Sequence, residues 1–267
     1  MDINFIFLLM LLGAFTGFFA GLFGIGGGGI MVPALTFLFA LRGFDSEQIV
    51  HLALGTSMAA IVPTACASVL AHHRHGAVLW SVAIKMAPAT LVGTFLATGL
   101  AVLLPSAPLA IFFALFMTVV AGQLILDRKP KPHRQLPGFA GLSLAGTSIG
   151  AISALVAIGG GSLTVPFLLW CNQSIKQAIG TSAGLGLPIA AMGAAGYMVN
   201  GWSAERLPDY SLGFVFWPAV LAMASMSFLT APLGARLAHQ LPVKTLKRGF
   251  AVLMLLLAMQ MLVTVFS

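Results

Sequence analysis

Residues 17–33 read GFFAGLFGIGGGGIMVP, and residues 150–166 repeat the same pattern as GAISALVAIGGGSLTVP. A second pair follows, one copy in each half of the chain: LGTSMAAIVP at 54–63 and IGTSAGLGLP at 179–188. Two copies of one unit therefore fill the chain. Each copy carries a glycine run inside an apolar segment, where glycine is costly for a helix. Two repeats with broken helices that meet in the middle of a membrane explain both observations.

The composition is that of a membrane protein. Hydrophobic residues make up 59% of the chain and charged residues only 7%, whereas about 25% of the residues in a soluble domain are charged. Soluble globular classes are therefore excluded. The net charge of +7 lies mostly in short loops and reports on topology, so we expect a lipid bilayer and no nucleic acid as partner. Cys66 and Cys171 lie far apart, in or beside apolar segments, and indicate neither a disulfide framework nor a metal site.

Each half of the chain contains five apolar segments. The third, fourth and fifth of each half are long enough to cross a bilayer, which takes about 20 residues. The segment after each glycine run is too short to cross alone, so we expect the first two segments of each half to form a hairpin with its glycine tip inside the membrane. The ten segments cover residues 4–24, 29–41, 49–71, 77–103, 108–126, 139–157, 162–171, 175–199, 211–237 and 246–266.

The positively charged residues predict how the repeats are oriented. The basic stretch DRKPKPHRQLP at 127–137 should lie in the cytoplasm, because cytoplasmic loops are enriched in lysine and arginine. Counting segments from this stretch places the basic loops at 72–75 and 236–248 inside. The loops at 42–48 and 200–210, which carry more acidic than basic residues, then lie outside. Matching loops of the two halves fall on opposite sides, which predicts inverted repeats.

The predicted fold is an all-α polytopic membrane protein of 8–10 helical segments, built from two inverted repeats. Each repeat comprises a glycine-tipped broken-helix hairpin and three spanning helices. The first repeat covers residues 1–126, a basic cytoplasmic linker covers 127–137 and the second repeat covers 138–267. We expect a multi-pass protein of the cell membrane with both termini outside.

At the paired motifs GIGGGGIMVPAL and AIGGGSLTVPFL, and at the paired GTS segments, the chain resembles the TauE/SafE family of sulfite and organosulfonate exporters. The resemblance covers the whole length, including the basic linker and the closing PLGARLAHQLPVKTLKRGFAVLMLLLAMQML. It implies a multi-spanning carrier of small sulfur-containing anions, such as sulfite, sulfoacetate and other sulfonates, or thiosulfate. Because the family is broad, the resemblance leaves the exact substrate open.

The two glycine runs are the first candidates for a substrate site. A helix begins after each run, and its free N–H groups and its dipole favour anions. Two such helix ends facing each other near the midplane would form an uncharged cradle for an oxyanion. The alternative is close helix packing through small residues, which is also the interpretation of the G-x3-G-x3-G pattern at Gly13, Gly17 and Gly21. The cradle residues are Gly26, Gly27, Gly28, Gly29, Gly159, Gly160, Gly161 and Ser162.

The hydroxyl groups of the paired GTS segments are the second set of candidates. A hydroxyl donates to an anion without placing a charge in the membrane. The alternative is a hydrogen bond back to the preceding turn of the same helix. The matched residues are Thr56, Ser57, Thr181 and Ser182.

Five further residues are candidates for gating or for attracting charge. Lys85 is the only lysine or arginine well within a predicted span, although it can also extend to the interface. His51 and Lys176 occupy matching positions one turn before each GTS and would attract anions at opposite mouths. Pro33 and Pro166 lie in the short helices and would leave carbonyl groups free there.

Several motifs are missing from the chain, and their absence narrows the function. There is no P-loop for an ATP-driven pump, no HExxH metalloprotease motif and no Cys–His–Asp set. All six acidic residues lie in loops or near segment ends, so a carboxylate proton relay has no candidate.

We therefore expect no enzyme, no cofactor and no metal, but a secondary transporter of a small anion that works by alternating access around a midplane site. A coupling ion and the oligomeric state stay open. A passive anion channel is the alternative, because sequence does not reveal turnover. A membrane enzyme with its active site at the glycine tips is weaker, because no nucleophile–base pair lies near them.

Overall fold

The structure, a computed structural model, describes residues 2–23, 27–126, 135–237 and 243–266. Within these residues it contains ten α-helices and one short antiparallel β-hairpin. The helices are α1 (Ile3–Phe23), α2 (Gly28–Leu41), α3 (Ile49–Arg74), α4 (Trp80–Val102), α5 (Ser106–Leu126), α6 (Phe139–Val156), α7 (Gly161–Trp170), α8 (Ile175–Asn200), α9 (Trp217–Leu237) and α10 (Val243–Phe266), with strands β1 (Ser211–Leu212) and β2 (Val215–Phe216) between α8 and α9.

Eight of these helices are long and apolar enough to cross a membrane, and the two short ones are α2 and α7. Large apolar side chains also cover the outer surface of the long helices, as expected where a protein faces lipid rather than water. Leu96, Leu115, Leu229 and Leu256 are each more than half exposed. The prediction of an all-α polytopic membrane protein is therefore confirmed.

The chain leaves the helical conformation at both glycine runs, as the sequence predicts. In the second half, α6 ends at Val156 and α7 begins at Gly161. The intervening backbone turns sharply, with left-handed conformations at Ala157 (φ 47°) and Gly160 (φ 76°). In the first half α1 ends at Phe23 and α2 begins at Gly28, while Gly26 lies outside the described residues.

The largest interfaces occur in pairs that match between the two halves. Helix α1 packs against α9, and α6 packs against α4. Helix α2 packs against α3, and α7 packs against α8. The equivalent helices α3 and α8 contact each other, as do α5 and α10. Exchanging the first five helices with the last five leaves this set of interfaces unchanged, whereas α2 also packs against α10 and the equivalent helices α7 and α5 make no comparable contact within the described residues.

The directions of the packed helices follow from their contacts. The Cβ position of Gly55 on α3 lies 2.9 Å from Tyr197 on α8, and that of Gly193 on α8 lies 3.0 Å from Met58 on α3. Residue numbers therefore rise along α3 as they fall along α8, so these equivalent helices are antiparallel. Two copies of one unit in opposite orientations would give this direction.

Small residues allow the two most extensive interfaces. A Cβ atom on Gly13 would overlap the backbone of Met223, and one on Gly17 would overlap the backbone of Ser227. Helices α1 and α9 are therefore parallel and in very close contact, which confirms the packing prediction for these two glycines. Gly93 stands equally close to Thr147 where α4 meets α6.

Two predicted segments begin too early. The sequence placed helices from residues 77 and 211, but α4 begins at Trp80 and α9 at Trp217. The residues just before each tryptophan form a non-helical segment that starts with a left-handed glycine, Gly76 (φ 60°) or Gly213 (φ 55°). The apolar run continues through these segments without a break, so hydropathy alone could not separate them from the helices.

Replacing Gly17 by valine should destabilise the protein by about 1–3 kcal/mol, because the added side chain overlaps the backbone of α9 and overpacking costs this much. Gly122→Val on α5 is the matched control, since no atom lies within 4 Å of its Cβ position. Thermal unfolding of the purified variants in detergent measures the difference. Equal melting temperatures for the two variants would contradict the close contact between α1 and α9.

Candidate functional site

The two hairpin tips meet halfway along α3. Ile61 lies at the middle of this 26-residue helix. Its side chain is 3.3 Å from the Cβ position of Gly28 in the first tip and 3.9 Å from that of Gly159 in the second. The carbonyl of Ala157 fills the space that a side chain on Gly28 would need. The glycine runs are thus brought together, deep within the helices that are long enough to span.

The first tip is largely occupied by packing. Gly28 faces the carbonyl of Ala157, and a Cβ on Gly29 would overlap the methyl group of Met117. Gly27 has an ordinary helical φ of −65°, so its conformation does not require glycine. Close approach of the second tip therefore explains Gly28 without a ligand, and packing against Met117 of α5 accounts for Gly29.

The second tip retains unused hydrogen-bond donors. The backbone amides of Gly159, Gly161 and Ser162 form no hydrogen bond among the described residues. The hydroxyl groups of Ser162 and Thr164 are buried and have no partner. Gly160 precedes α7 in a left-handed conformation, and its Cβ position is only 2.7 Å from Ile189. This tip therefore combines a helix N-terminus with polar hydrogens that have no acceptor in the protein.

The serines of the two GTS segments lie next to the tips. Ser57 is one turn before Ile61, and Ser182 is one turn before Gly186, so each shares a helix face with a residue that contacts Gly159. Ser57 is fully buried and its hydroxyl has no hydrogen-bond partner. The bond to the preceding turn, which is the usual role of a helical serine, is therefore absent at Ser57.

The threonine hydroxyls of the GTS segments form hydrogen bonds with backbone amides of the protein instead. Thr56 accepts a hydrogen bond of 3.0 Å from the amide of Phe216, and Thr181 accepts one of 2.9 Å from the amide of Leu79. Phe216 and Leu79 are the last residues before α9 and α4. Each threonine thus holds the start of a spanning helix in the other half of the chain, and both threonines are fully buried.

The glycines of the GTS segments contact the same two stretches of backbone as the threonines. A Cβ on Gly55 would overlap the carbonyl of Phe214, and one on Gly180 would overlap that of Ala77. Each Gly–Thr pair therefore contacts the non-helical segment before α4 or α9. The glycine leaves room for a backbone carbonyl of that segment, and the threonine hydroxyl accepts a hydrogen bond from the amide two residues after that carbonyl.

Sequence reasoning missed the partner of this motif. HGAVLW at 75–80 and LGFVFW at 212–217 share the pattern Gly-x-Val-x-Trp, one copy in each half. Comparing the two halves beyond the glycine runs would have found this pattern. We call these two stretches, from Gly76 and Gly213 to the following tryptophan, the extended segments.

The remaining candidates lie elsewhere. Lys85 and Lys176 are exposed, so neither side chain points into the region of the tips. His51 is buried, with only 4% of its surface exposed, and does not line an open mouth. Pro33 and Pro166 lie inside α2 and α7, where neither proline nitrogen can donate to the carbonyl one turn earlier.

The end of the molecule at which α3 begins and α8 ends, which we call the closed mouth, is tightly packed. Tyr197 is fully buried and donates a 3.1 Å hydrogen bond to the carbonyl of Ala154. Asn200 donates to the hydroxyl of Thr98 at 3.3 Å, which ties the end of α8 to α4. The extended segment at 213–216 is buried over this end.

The opposite end of the molecule, which we call the opposite mouth, is less tightly packed. No residue from 62 to 74, the second half of α3, is buried. An open groove of about 360 Å³ follows this half of the helix from Pro63 to Arg74, with Phe228 of α9 at its side. The groove begins two residues along the helix from Ile61, the residue that contacts both tips.

The region around the tips carries no charge. Amide and hydroxyl groups are its polar donors, and no group of histidine, cysteine, aspartate or glutamate among the described residues could hold a metal ion. Donors without acceptors favour an anion, which brings acceptors on every side.

The chain resembles a family of membrane transporters over nearly its whole length. The family model described as Sulfite exporter TauE/SafE matches residues 9–261. A probable membrane transporter protein of Haemophilus influenzae is 38% identical over 97% of this chain and 98% of its own length. The probable membrane transporter protein YunE of Bacillus subtilis is 24% identical over 96% of both chains. No solved structure matches the chain.

Replacing Thr56 or Thr181 by valine should destabilise the protein by about 1–3 kcal/mol, because each change leaves an amide without its acceptor. Valine keeps the shape of threonine, and the matched serine variants keep the hydroxyl. Thermal unfolding should therefore rank serine above valine at both positions. Valine variants as stable as the serine variants would show that the hydroxyls do not hold the extended segments.

Proposed function

Because the chain belongs to the sulfite exporter TauE/SafE family and is a membrane transporter, we propose that it carries a small sulfur-containing anion. The proposed substrate is a sulfur oxyanion or an organosulfonate of the sulfite, sulfoacetate or thiosulfate type. The proposed mechanism is alternating access around a site between the hairpin tips, with no catalysed reaction.

The second tip is the observation that carries this proposal. The free amides of Gly159, Gly161 and Ser162, with the unpartnered hydroxyls of Ser162 and Thr164, provide donors at the start of α7. A sulfonate or sulfite group presents several oxygen acceptors to such a set. Hydrogen bonds and the dipole of α7 then compensate the cost of moving the anion out of water, and no buried cation is needed.

Ser57 completes the proposed site from α3. Its unpartnered hydroxyl lies on the helix face that contacts both tips. Ser182 holds the equivalent position on α8. In this proposal the first glycine run supplies the wall of the site, and the second run supplies most of its donors.

Alternating access is supported by the difference between the two mouths. In this proposal the anion enters along the groove beside α3, while Tyr197 and Asn200 close the other side. In an inverted repeat the two halves can exchange conformations, which would open the closed mouth and close the open one. The antiparallel packing of α3 against α8 supports the inverted arrangement.

Replacing Ser57 and Ser162 by alanine should weaken the binding of thiosulfate or sulfite about tenfold for each hydroxyl, since a hydrogen bond to a charged group contributes about 1.5–3 kcal/mol. Neither hydroxyl has a partner in the protein, so both variants should fold normally. Isothermal titration calorimetry on the purified protein measures the affinity.

Two variants serve as controls for this measurement. Ser225→Ala removes an exposed hydroxyl that bonds only to its own helix, so it should bind like the wild type. Lys85→Met should also bind normally, because Lys85 is exposed. Unchanged affinity in the Ser57→Ala/Ser162→Ala double variant, or loss of binding in Lys85→Met, would contradict the neutral cradle. A flux that never saturates with concentration would favour a channel.

The proposed topology places both termini outside the cell membrane. Cysteine at position 103, which follows α4 and is 79% exposed, should react with an impermeant thiol reagent from outside. Cysteine at position 131, in the basic linker, should react only after the membrane is opened. The background is Cys66→Ser, because Cys66 is exposed. Labelling of both positions from one side would contradict the inverted repeat.

A further inference from the structure

His51 is held in an unusual buried position at the start of α3. Its Nε2 lies 3.0 Å from the carbonyl oxygens of both Ala101 and Leu104. A carbonyl only accepts, so Nε2 carries a hydrogen and donates it. The other ring nitrogen, Nδ1, is buried and has no partner. The ring can therefore take up a second proton at Nδ1 without losing either existing contact.

Three groups around His51 favour a positive charge on the ring, while its burial opposes one. The carbonyl of Ala101 lies in the last turn of α4, where the helix dipole is negative, and the carbonyl of Leu104 lies two residues beyond the helix end. The ring of Phe214 lies 5.1 Å away, centroid to centroid, within the range of a cation–π contact. Burial opposes the charge, but these three groups offset part of that cost.

Among the residues that the structure describes, no charged side chain contacts the ring. Its neighbours are the carbonyls of Ala101 and Leu104 and the ring of Phe214 in the extended segment. Of the charged residues at this mouth, Asp45 pairs with Arg206 at 3.9 Å, and Glu47 is exposed. A proton on His51 would therefore be an unpaired charge held by dipoles, which makes its binding sensitive to the conformation around it.

Among the described side chains, His51 is the one buried imidazole, and no carboxylate is buried. His72, His73 and His75 lie at the opposite mouth, where none of them is buried. Lys176, which matches His51 in the second half, is exposed. The two halves therefore differ at this position, and the difference lies at the closed mouth.

Building on the proposed transport function, we propose that His51 is the proton-binding site that couples movement of the anion to movement of a proton. A protonated ring forms stronger hydrogen bonds to the carbonyls and a stronger contact with Phe214. It thus stabilises the extended segment over the closed mouth. Opening this mouth separates the ring from these groups, and the proton leaves Nδ1 to the side that opens.

The coupling passes through a short set of contacts. One turn after His51, Gly55 receives the carbonyl of Phe214, and Thr56 binds the amide of Phe216. Ser57, which faces the tips, follows directly on the same helix. The proton site and the proposed anion site are therefore joined by α3, and both depend on whether the extended segment is in place.

The test compares wild-type protein with His51→Gln, whose side-chain amide can still donate to the carbonyls but does not titrate. Proteoliposomes that contain a pH-sensitive dye report proton movement during uptake of labelled methanesulfonate or thiosulfate, which stay ionised at neutral pH. We expect the protons moved per anion to fall at least tenfold in His51→Gln. The matched control, His75→Gln at the exposed opposite mouth, should keep the wild-type ratio.

An unchanged ratio in His51→Gln would overturn the proposal. If His51→Gln does not transport at all, a second measurement on the wild-type protein tests the proposal. Calorimetry of wild-type protein in buffers of different ionisation enthalpy counts the protons taken up on anion binding, and no linked proton between about pH 5.5 and 8 would equally overturn it. Failure of the wild type to bind any of these anions would instead contradict the proposed transport function.

Discussion

Every backbone amide and carbonyl inside a bilayer needs a partner, and the two hairpins break this pairing beside the middle of the spanning helix α3. The protein compensates differently at its two tips. At the first tip, close contact with Ala157 and with methionine side chains fills the space that side chains would occupy. At the second, the amides at the start of α7 stay without acceptors. The rest of the architecture positions this second tip against α3 and α8.

The contacts that hold the tips are made by residues already marked by repetition. Each GTS segment fixes an extended segment through its glycine and its threonine, and so fixes where α4 and α9 begin. The serine of each segment is left to face the tips. One short motif therefore has two roles, and the mouth closed by the second extended segment is also the place where His51 is buried.

Local properties of the sequence were enough to predict the class of protein and the positions of the helix breaks. The apolar composition predicted a polytopic helical protein, and the glycine runs predicted the helix breaks before α2 and α7. Such properties depend on local composition and backbone preference. The same local reasoning placed the starts of α4 and α9 too early, because an extended apolar segment and an apolar helix have the same hydropathy. The linker at 127–134 and Gly26 lie outside the described residues, and the two-repeat division stays a prediction.

The chain alone thus establishes the class of protein, the position of the broken helices and the pairs of matched motifs, because each follows from residues close together in sequence. Tertiary packing selects which tip keeps free donors, gives Thr56 a partner 160 residues away and leaves Ser57 without one. It also exposes Lys85 and buries His51 against the end of α4. These outcomes depend on contacts between helices far apart in sequence, and the identity of a single residue does not reveal which neighbour it will meet.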